Sequence, residues 1–404
     1  MKREIISISL IFFIGLLLRL SFVFFYIQPY VTDDAKQYDE IALSISQNKG
    51  FCLEGVPTAR REPIYPLFLS TIYFIFGHSY LAVRILQAII GALTLVIIYL
   101  IGKRIFGFYC GVLAGLYCAI YPFFIGHIGL LYTEIFFTFL LAISTYSLIE
   151  ALEKEKIKNY IYSGIFFGIS TLTRGITILF PFFLFLIFLI FKKRIINLLI
   201  FSLAFAMVII PWTIRNYIRF NVFLPIRWGG GHAFWQDIAV ANDERWKTQD
   251  LPAGSKEIVV HPGSEEIIVH YSSSPIESDK KFYREGIYYI KKNPKGYIKV
   301  CLKRLHGLFF GIPAGTRLLK PAPKMIKLGF ILSQYTVLLF GLLGIIIKIR
   351  KYKISLPLLI IILYFTLMHS FLFPGEPRFY LPVIPYFSIF CAEAVITILR
   401  YFKR

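Results

Sequence analysis

Acidic residues are scarce in this chain: 23 Asp and Glu stand against 44 Lys and Arg in 404 residues, and charge of both signs amounts to only 17%. Soluble domains carry about 25% charged residues, so an ordinary water-facing surface is excluded. Five cysteines, with no CxxC and no His-rich spacing, exclude a disulfide framework and a zinc-type metal site. Neither a P-loop nor a GxGxxG occurs, so no nucleotide site is signalled. No internal repeat is visible, whereas a secondary transporter usually shows repeated halves and broken helices near the midplane.

What the chain has is apolar length: 57% hydrophobic and 18% aromatic residues, in repeated runs of about 17 to 25, enough to cross a bilayer. The runs fall at 5–27, 79–101, 105–126, 129–149, 160–174, 176–191, 195–213, 327–347, 354–373 and 379–399. They predict an all-α polytopic membrane protein of about ten transmembrane helices. The first run follows Lys2 and Arg3 without a small-residue cleavage site, and reads as a retained span.

Basic clusters set the orientation, because Lys and Arg in short loops stay on the cytoplasmic side. Lys2 and Arg3, Lys103 and Arg104, Lys154 with Lys156 and Lys158, Lys192 to Arg194, Lys348 to Lys353, and Arg400 with Lys403 and Arg404 fall at alternate ends. Both termini are therefore expected in the cytoplasm. The same anchors account for most of the net charge of +21, so no nucleic-acid partner is predicted. Residues 64–76 are apolar but short, and suit an interfacial or re-entrant helix.

This topology leaves two sizeable outer loops. Residues 28–63 form a first outer loop with a helical segment, within an N-terminal membrane module of residues 1–215. Residues 216–325 form a large outer loop between spans seven and eight, followed by three C-terminal spans in 326–404. In that large loop Lys291, Lys292, Lys295, Lys299, Lys303 and Arg304 punctuate an apolar pattern. They predict two amphipathic helices broken at Asn293 and Pro294, lying in the outer interface with the lysines toward lipid phosphates. Cys52 and Cys301 both face the oxidising side, and pairing or free thiols are left open. His232, His261 and His270 have no fixed spacing and read as solvated loop residues, with Gly229 to Gly231 a turn at the mouth of a site.

Chemistry is suggested where acids are unexpected. Asp33 and Asp34 follow the first span, ahead of the helical stretch Ala35–Ser46, and the loop runs on to Arg60-Arg61-Glu62-Pro63-Ile64-Tyr65-Pro66. With Tyr38 and Ala42, Gly77-His78-Ser79, Tyr121-Pro122, Tyr132-Thr133-Glu134, Leu172-Thr173-Arg174, Pro211-Trp212-Thr213-Ile214-Arg215-Asn216 and Arg378-Phe379-Tyr380-Leu381-Pro382, this resembles the GT-C class of integral-membrane glycosyltransferases. The similarity is to the branch of protein O-mannosyltransferases, aminoarabinose transferases and RgtA/B/C/D-like enzymes (glycosyltransferase family 39/83-like). It extends over most of the chain in family order, but not to residues 229–280.

The resemblance implies a plasma-membrane enzyme that takes a sugar from a polyprenyl-phosphate donor and transfers it, on the extracytoplasmic face, to a glycolipid, polysaccharide or protein acceptor. It would invert at the anomeric carbon with Asp33 or Asp34 as general base, Asp33 slightly favoured by the family pattern. Capping of the following helix by the same acids is the simpler role. Arg60, Arg61, Arg174, Arg215 and Arg378 would hold the donor phosphate or merely snorkel. Glu62 stands where aminoarabinose transferases have lysine, which shifts that role toward Arg60 or Arg61. Glu134 and Tyr38 are supporting candidates, Glu134 also as a structural partner of Arg174 or Arg84, while Arg19 is expected to snorkel or pair. A divalent cation at Asp33 and Asp34 is conceivable, but no metal is firmly predicted. The rival classes are an O-antigen polymerase or ligase, a lipid-linked sugar flippase and, further off, a secondary transporter.

Overall fold

A computed structural model describes residues 2–26, 31, 33–242, 275–311, 324–348 and 352–403. The N-terminal part runs α1 (Lys2–Phe25), α2 (Asp33–Ser46), a two-stranded hairpin β1 (Cys52–Leu53) and β2 (Val56–Pro57), α3 (Ile64–Phe76), α4 (Tyr80–Phe106), α5 (Phe108–Ile120), α6 (Pro122–Gly126), α7 (Glu134–Lys154), α8 (Ile157–Thr173), α9 (Phe180–Phe191) and α10 (Ile195–Phe220). There follow α11 (Gly230–Asn242), α12 (Pro275–Lys292), α13 (Pro294–Phe310), α14 (Lys324–Lys348), α15 (Tyr352–Leu367), α16 (Pro377–Tyr380) and α17 (Ile384–Phe402).

Among the described residues seven helices are long and apolar enough to cross a membrane, or eight if α5 and α6, bent by 51° at Tyr121-Pro122, form one span. A multi-pass membrane protein is therefore built from fewer full-length helices than the ten predicted. The difference lies at 160–191, where the chain breaks at Arg174 and spends Gly175–Leu179 on a 3-10 turn. That leaves α8 with 17 residues and α9 with 12, roughly 25 and 18 Å at 1.5 Å per residue. Helix α3, at 13 residues, is short as expected.

Helix ends follow local chemistry. Ser79 caps α4 by accepting from the Ala82 N–H at 3.3 Å, and Gly107 ends it at φ 99°, a conformation that favours glycine. Asn293 accepts from Gly296 N–H at 2.9 Å and Pro294 takes the first helical position, which starts α13 where the sequence placed the break. Close packing uses small residues: a Cβ on Gly111 of α5 would meet Tyr99 O of α4 at 2.5 Å, and Gly344 of α14 lies against the Phe390 backbone of α17.

Polar groups tie α2 and α3 to the bundle. Gln87 of α4 is fully buried, accepts from Tyr65 OH at 2.9 Å, and donates to Ile128 O and Leu130 O at 3.0 and 2.9 Å. Tyr38, Ala42, Tyr65, Leu69 and Val83 then pack into one apolar cluster, which fixes the helix bearing the aspartates onto α3.

One expectation is corrected here, and two points left open are resolved among the described residues. Arg19 neither snorkels nor pairs with an acid among the described residues: it is 1% exposed, and its guanidinium donates to Gly15 O at 3.0 Å and to Ala119 O and Cys118 O at 3.4 Å. Backbone carbonyls inside the bundle replace the headgroup it was expected to reach. Arg304 turns inward, away from lipid, donating to Phe371 O and Phe234 O at 3.2 and 3.1 Å, while Lys295, Lys299 and Lys303 remain exposed. Cys52 and Cys301 are both free and buried. His261 and His270 lie outside the described residues.

Candidate active site

Asp34 sits in the first turn of α2, where an acid also complements the helix dipole. Its carboxylate pairs with Arg61 through Oδ1 and faces Arg378 Nη1 through Oδ2 at 3.6 Å. Asp33 opens the same helix, but its side chain lies outside the described ones. Arg61 is held by more than Asp34: its Nε donates to Gln37 at 3.0 Å and its guanidinium lies 5.0 Å over the Tyr38 ring.

The hairpin β1–β2 reverses the chain so that residues 58–62 return past α2. The end of α10 fastens this return. Arg215 donates to Thr58 O at 2.7 Å and Phe51 O at 3.3 Å, and its guanidinium lies 4.7 Å over Trp212. Trp212 Nε1 donates to Ile226 O at 2.7 Å, Asn216 Nδ2 to the same oxygen at 3.0 Å, and Trp228 N–H to Ala59 O at 3.1 Å. The Pro-Trp-Thr-Ile-Arg-Asn motif thus binds two loops together. Arg215 was expected at the donor phosphate; it does not line the cavity described below.

Glu62, 4% exposed, accepts from Gly175 N–H at 3.0 Å and from Arg227 Nε at 2.8 Å. Arg60 lies 5.5 Å over the Trp228 ring. Across the cavity Arg174, the residue that ends α8, faces Glu134 of α7 at 3.5 Å. Phe379 gathers the neighbours: the Arg174 and Arg378 guanidiniums lie 4.8 and 4.6 Å from its ring centre, and His369 stacks flat on it at 5.2 Å. Arg378 also pairs with Glu376 at 2.9 Å. A π-helical turn, Met368–Leu372, sets His369 in place; such turns frequently occur at functional sites.

These groups line one cavity of about 590 Å³, large enough for a small-molecule ligand. Asp34, Tyr38, Arg60, Arg61, Glu62, Glu134, Arg174 and Arg378 all contribute to it. Gly229 turns at φ 100°, and Gly231 comes so close to Asp279 that its N–H donates to the carboxylate at 2.7 Å. His232 lines the cavity too, half-buried with its ring 5.1 Å from Phe282, so it is a wall residue; its contact with α12 was not visible in its sequence context. Arg227, Glu376 and His369 were also missed. Arg227 had a signal in Pro225 and the glycines after it; the other two had none beyond proximity to Arg378.

Electrostatics divide the site. Burial pushes the Asp34 carboxyl up, but Arg61, Arg378 and Arg227 together outweigh it and hold the group below the usual aspartate range. Tyr38 is pushed up to about 12, chiefly by burial. Arg227 is raised, first by Glu62. Among the described residues no group of three or more His, Cys, Asp or Glu is placed to hold a metal ion. A cation at Asp34 would sit against two guanidiniums, so the described residues do not fit one.

Residues 58–214 match the family of dolichyl-phosphate-mannose-protein mannosyltransferases. Over 97% of its length the chain is similar to the structure of ArnT from Cupriavidus metallidurans bound to undecaprenyl phosphate, at 12% identity and TM-score 0.54. Over 98% it is similar to the archaeal oligosaccharyltransferase AglB from Archaeoglobus fulgidus in complex with an inhibitory peptide and a dolichol-phosphate, at 14% identity and TM-score 0.58. The chain has the GT-C fold. It covers 59% of the ArnT chain and 50% of the AglB chain, so it spans about half the length of each. No curated protein matches it. Within this GT-C fold the family match takes in Arg60, Arg61, Glu62, Glu134 and Arg174; Asp34, Arg215 and Arg378 lie outside it.

Proposed function

We propose that the protein is a membrane glycosyltransferase that takes a sugar from a polyprenyl-phosphate donor and passes it to a glycolipid, polysaccharide or protein acceptor on the extracytoplasmic face. The observation that carries this reading is the junction of Asp34 with Arg61 and Arg378 on the wall of the cavity. A potential base and two cations suited to a phosphate share one point on that wall.

In the donor the phosphate is a diester with one negative charge. As it enters, it competes with Asp34 for Arg61 and Arg378 and frees a carboxylate oxygen. The acceptor hydroxyl then gives its proton to Asp34 while its oxygen attacks the anomeric carbon. The sugar–phosphate C–O bond breaks, and its electron pair leaves with the polyprenyl phosphate, whose charge grows from one to two. Because that charge develops during the reaction, the arginines stabilise the transition state more than the bound donor. One displacement inverts the anomeric centre. Arg215 acts in this scheme by holding residues 51–60, not by touching phosphate.

The test is sugar transfer from a panel of radiolabelled polyprenyl-phosphate sugars in membranes. Asp34→Asn is expected to lower the rate by about 10² to 10⁴, the usual share of a general base. Because Asp34 is held below the usual aspartate range, it stays ionised in mild acid, so the acid limb of wild-type kcat/KM lies below that of an ordinary aspartate. Loss in Asp33→Asn alone would transfer the role to Asp33, and full activity in both variants would remove the aspartate base.

A further inference from the structure

Several polar atoms on the cavity wall stay unsatisfied among the described residues, and two of them are acceptors. Glu134 and His369 are each 3% exposed, both line the cavity, and among the described residues Glu134 Oε2 and His369 Nε2 have no hydrogen-bond partner, nor has the adjacent donor Arg174 Nη1. Buried polar atoms of this kind cost free energy unless something pairs with them. His369 Nδ1 lies 3.1 Å from Pro374 O, and a carbonyl can only accept, so Nδ1 carries the proton. In the neutral ring Nε2 is then an acceptor. Glu134 Oε2 is an acceptor as well, since its charge is shared with Arg174 through Oε1 at 3.5 Å.

The wall therefore offers two open acceptors beside a guanidinium. Two acceptors repel phosphate oxygens and call for hydrogens, and hydroxyl groups bring them. We propose that this wall is the subsite for the transferred sugar, whose hydroxyls donate to Glu134 Oε2 and His369 Nε2, while Arg61 and Arg378 take the phosphate. Phe379 positions the subsite, since His369 and Arg174 both lie against its ring. The inference rests on the lipid-phosphate donor reading above and adds which wall reads the sugar.

The test compares two affinities of the purified full chain in nanodiscs: for undecaprenyl phosphate, and for its mannose, glucose, arabinose and aminoarabinose conjugates. In wild type at least one conjugate binds about tenfold tighter than the bare lipid phosphate. His369→Asn keeps an amide that can donate to Pro374 O but removes the Nε2 acceptor, and cuts that advantage severalfold; Glu134→Gln abolishes it, a loss of about tenfold. His369→Gln, which returns a polar atom near the Nε2 position, restores part of it. Affinity for undecaprenyl phosphate stays at the wild-type value in all three. Equal weakening of both ligands, full rescue by His369→Asn, or no advantage for any conjugate overturns the subsite. Failure of wild type to bind undecaprenyl phosphate would instead sink the donor reading beneath it.

Discussion

The two ends of the bundle use the same ion pairs to different effect. At the end that carries both termini, Lys103 meets Glu4 at 2.7 Å, Arg104 meets Glu150 at 2.9 Å and Glu153 at 2.8 Å, and Lys348 meets Glu393 at 2.7 Å. The Lys103 and Arg104 pairs bridge neighbouring helix ends and Lys348 reaches a residue midway along α17, each pair with at least one partner partly open to solvent. At the other end Asp34, Arg61, Arg378, Glu134, Arg174, Glu62 and Arg227 surround a cavity. Charge type does not separate the two sets. The difference lies in what the pairs face: helix ends in one case, and in the other a void with unsatisfied acceptors and aromatic walls, where screening is weak and a ligand can exchange partners with a side chain.

That contrast can be broken from either end. After Asp34→Asn, the largest effect is expected from Arg378→Ala, which removes a cation facing Asp34 and should lower kcat/KM by about 10² to 10³, with the variant still eluting as folded protein. Unchanged donor affinity would take Arg378 out of the site. A smaller loss, about tenfold, is expected for Arg215→Ala, together with faster proteolysis of residues 51–60. Arg215→Lys should not restore activity, because an ammonium cannot reach both Thr58 O and Phe51 O as the fork does. Weaker donor binding with the loop still protected would return Arg215 to the phosphate. The smallest effect belongs to the opposite end: Arg104→Ala should cost about 1 kcal/mol or less of stability, as partly exposed pairs do, and leave transfer at the wild-type rate.

Much of this was legible in the sequence because it depends on local pattern. Apolar run lengths gave the spans, Asn293-Pro294 gave the break between α12 and α13, and the acids after the first span marked the cavity wall that Asp34 occupies. Arg60, Arg61, Glu62, Glu134, Arg174 and Arg378 were named before they met, and the structure brings them together. What could not be read was partnership at long range. Arg215 looked like a phosphate ligand because it ends a span, but its partners are carbonyls more than 150 positions away. His369 sits inside an apolar run, and only the π-helical turn and the Phe379 ring give it a face toward the cavity. The shortness of α8 and α9 was legible too: the apolar runs 160–174 and 176–191 are short and meet at Arg174, where the helices break.

The most direct test of the difference between the two ends is a structure of the protein with undecaprenyl phosphate. The account predicts the phosphate between Arg61 and Arg378, with Asp34 displaced from at least one of them. A phosphate bound at the end of Lys103, Arg104 and Lys348, or in the cavity with both Asp34 pairs intact, would contradict it.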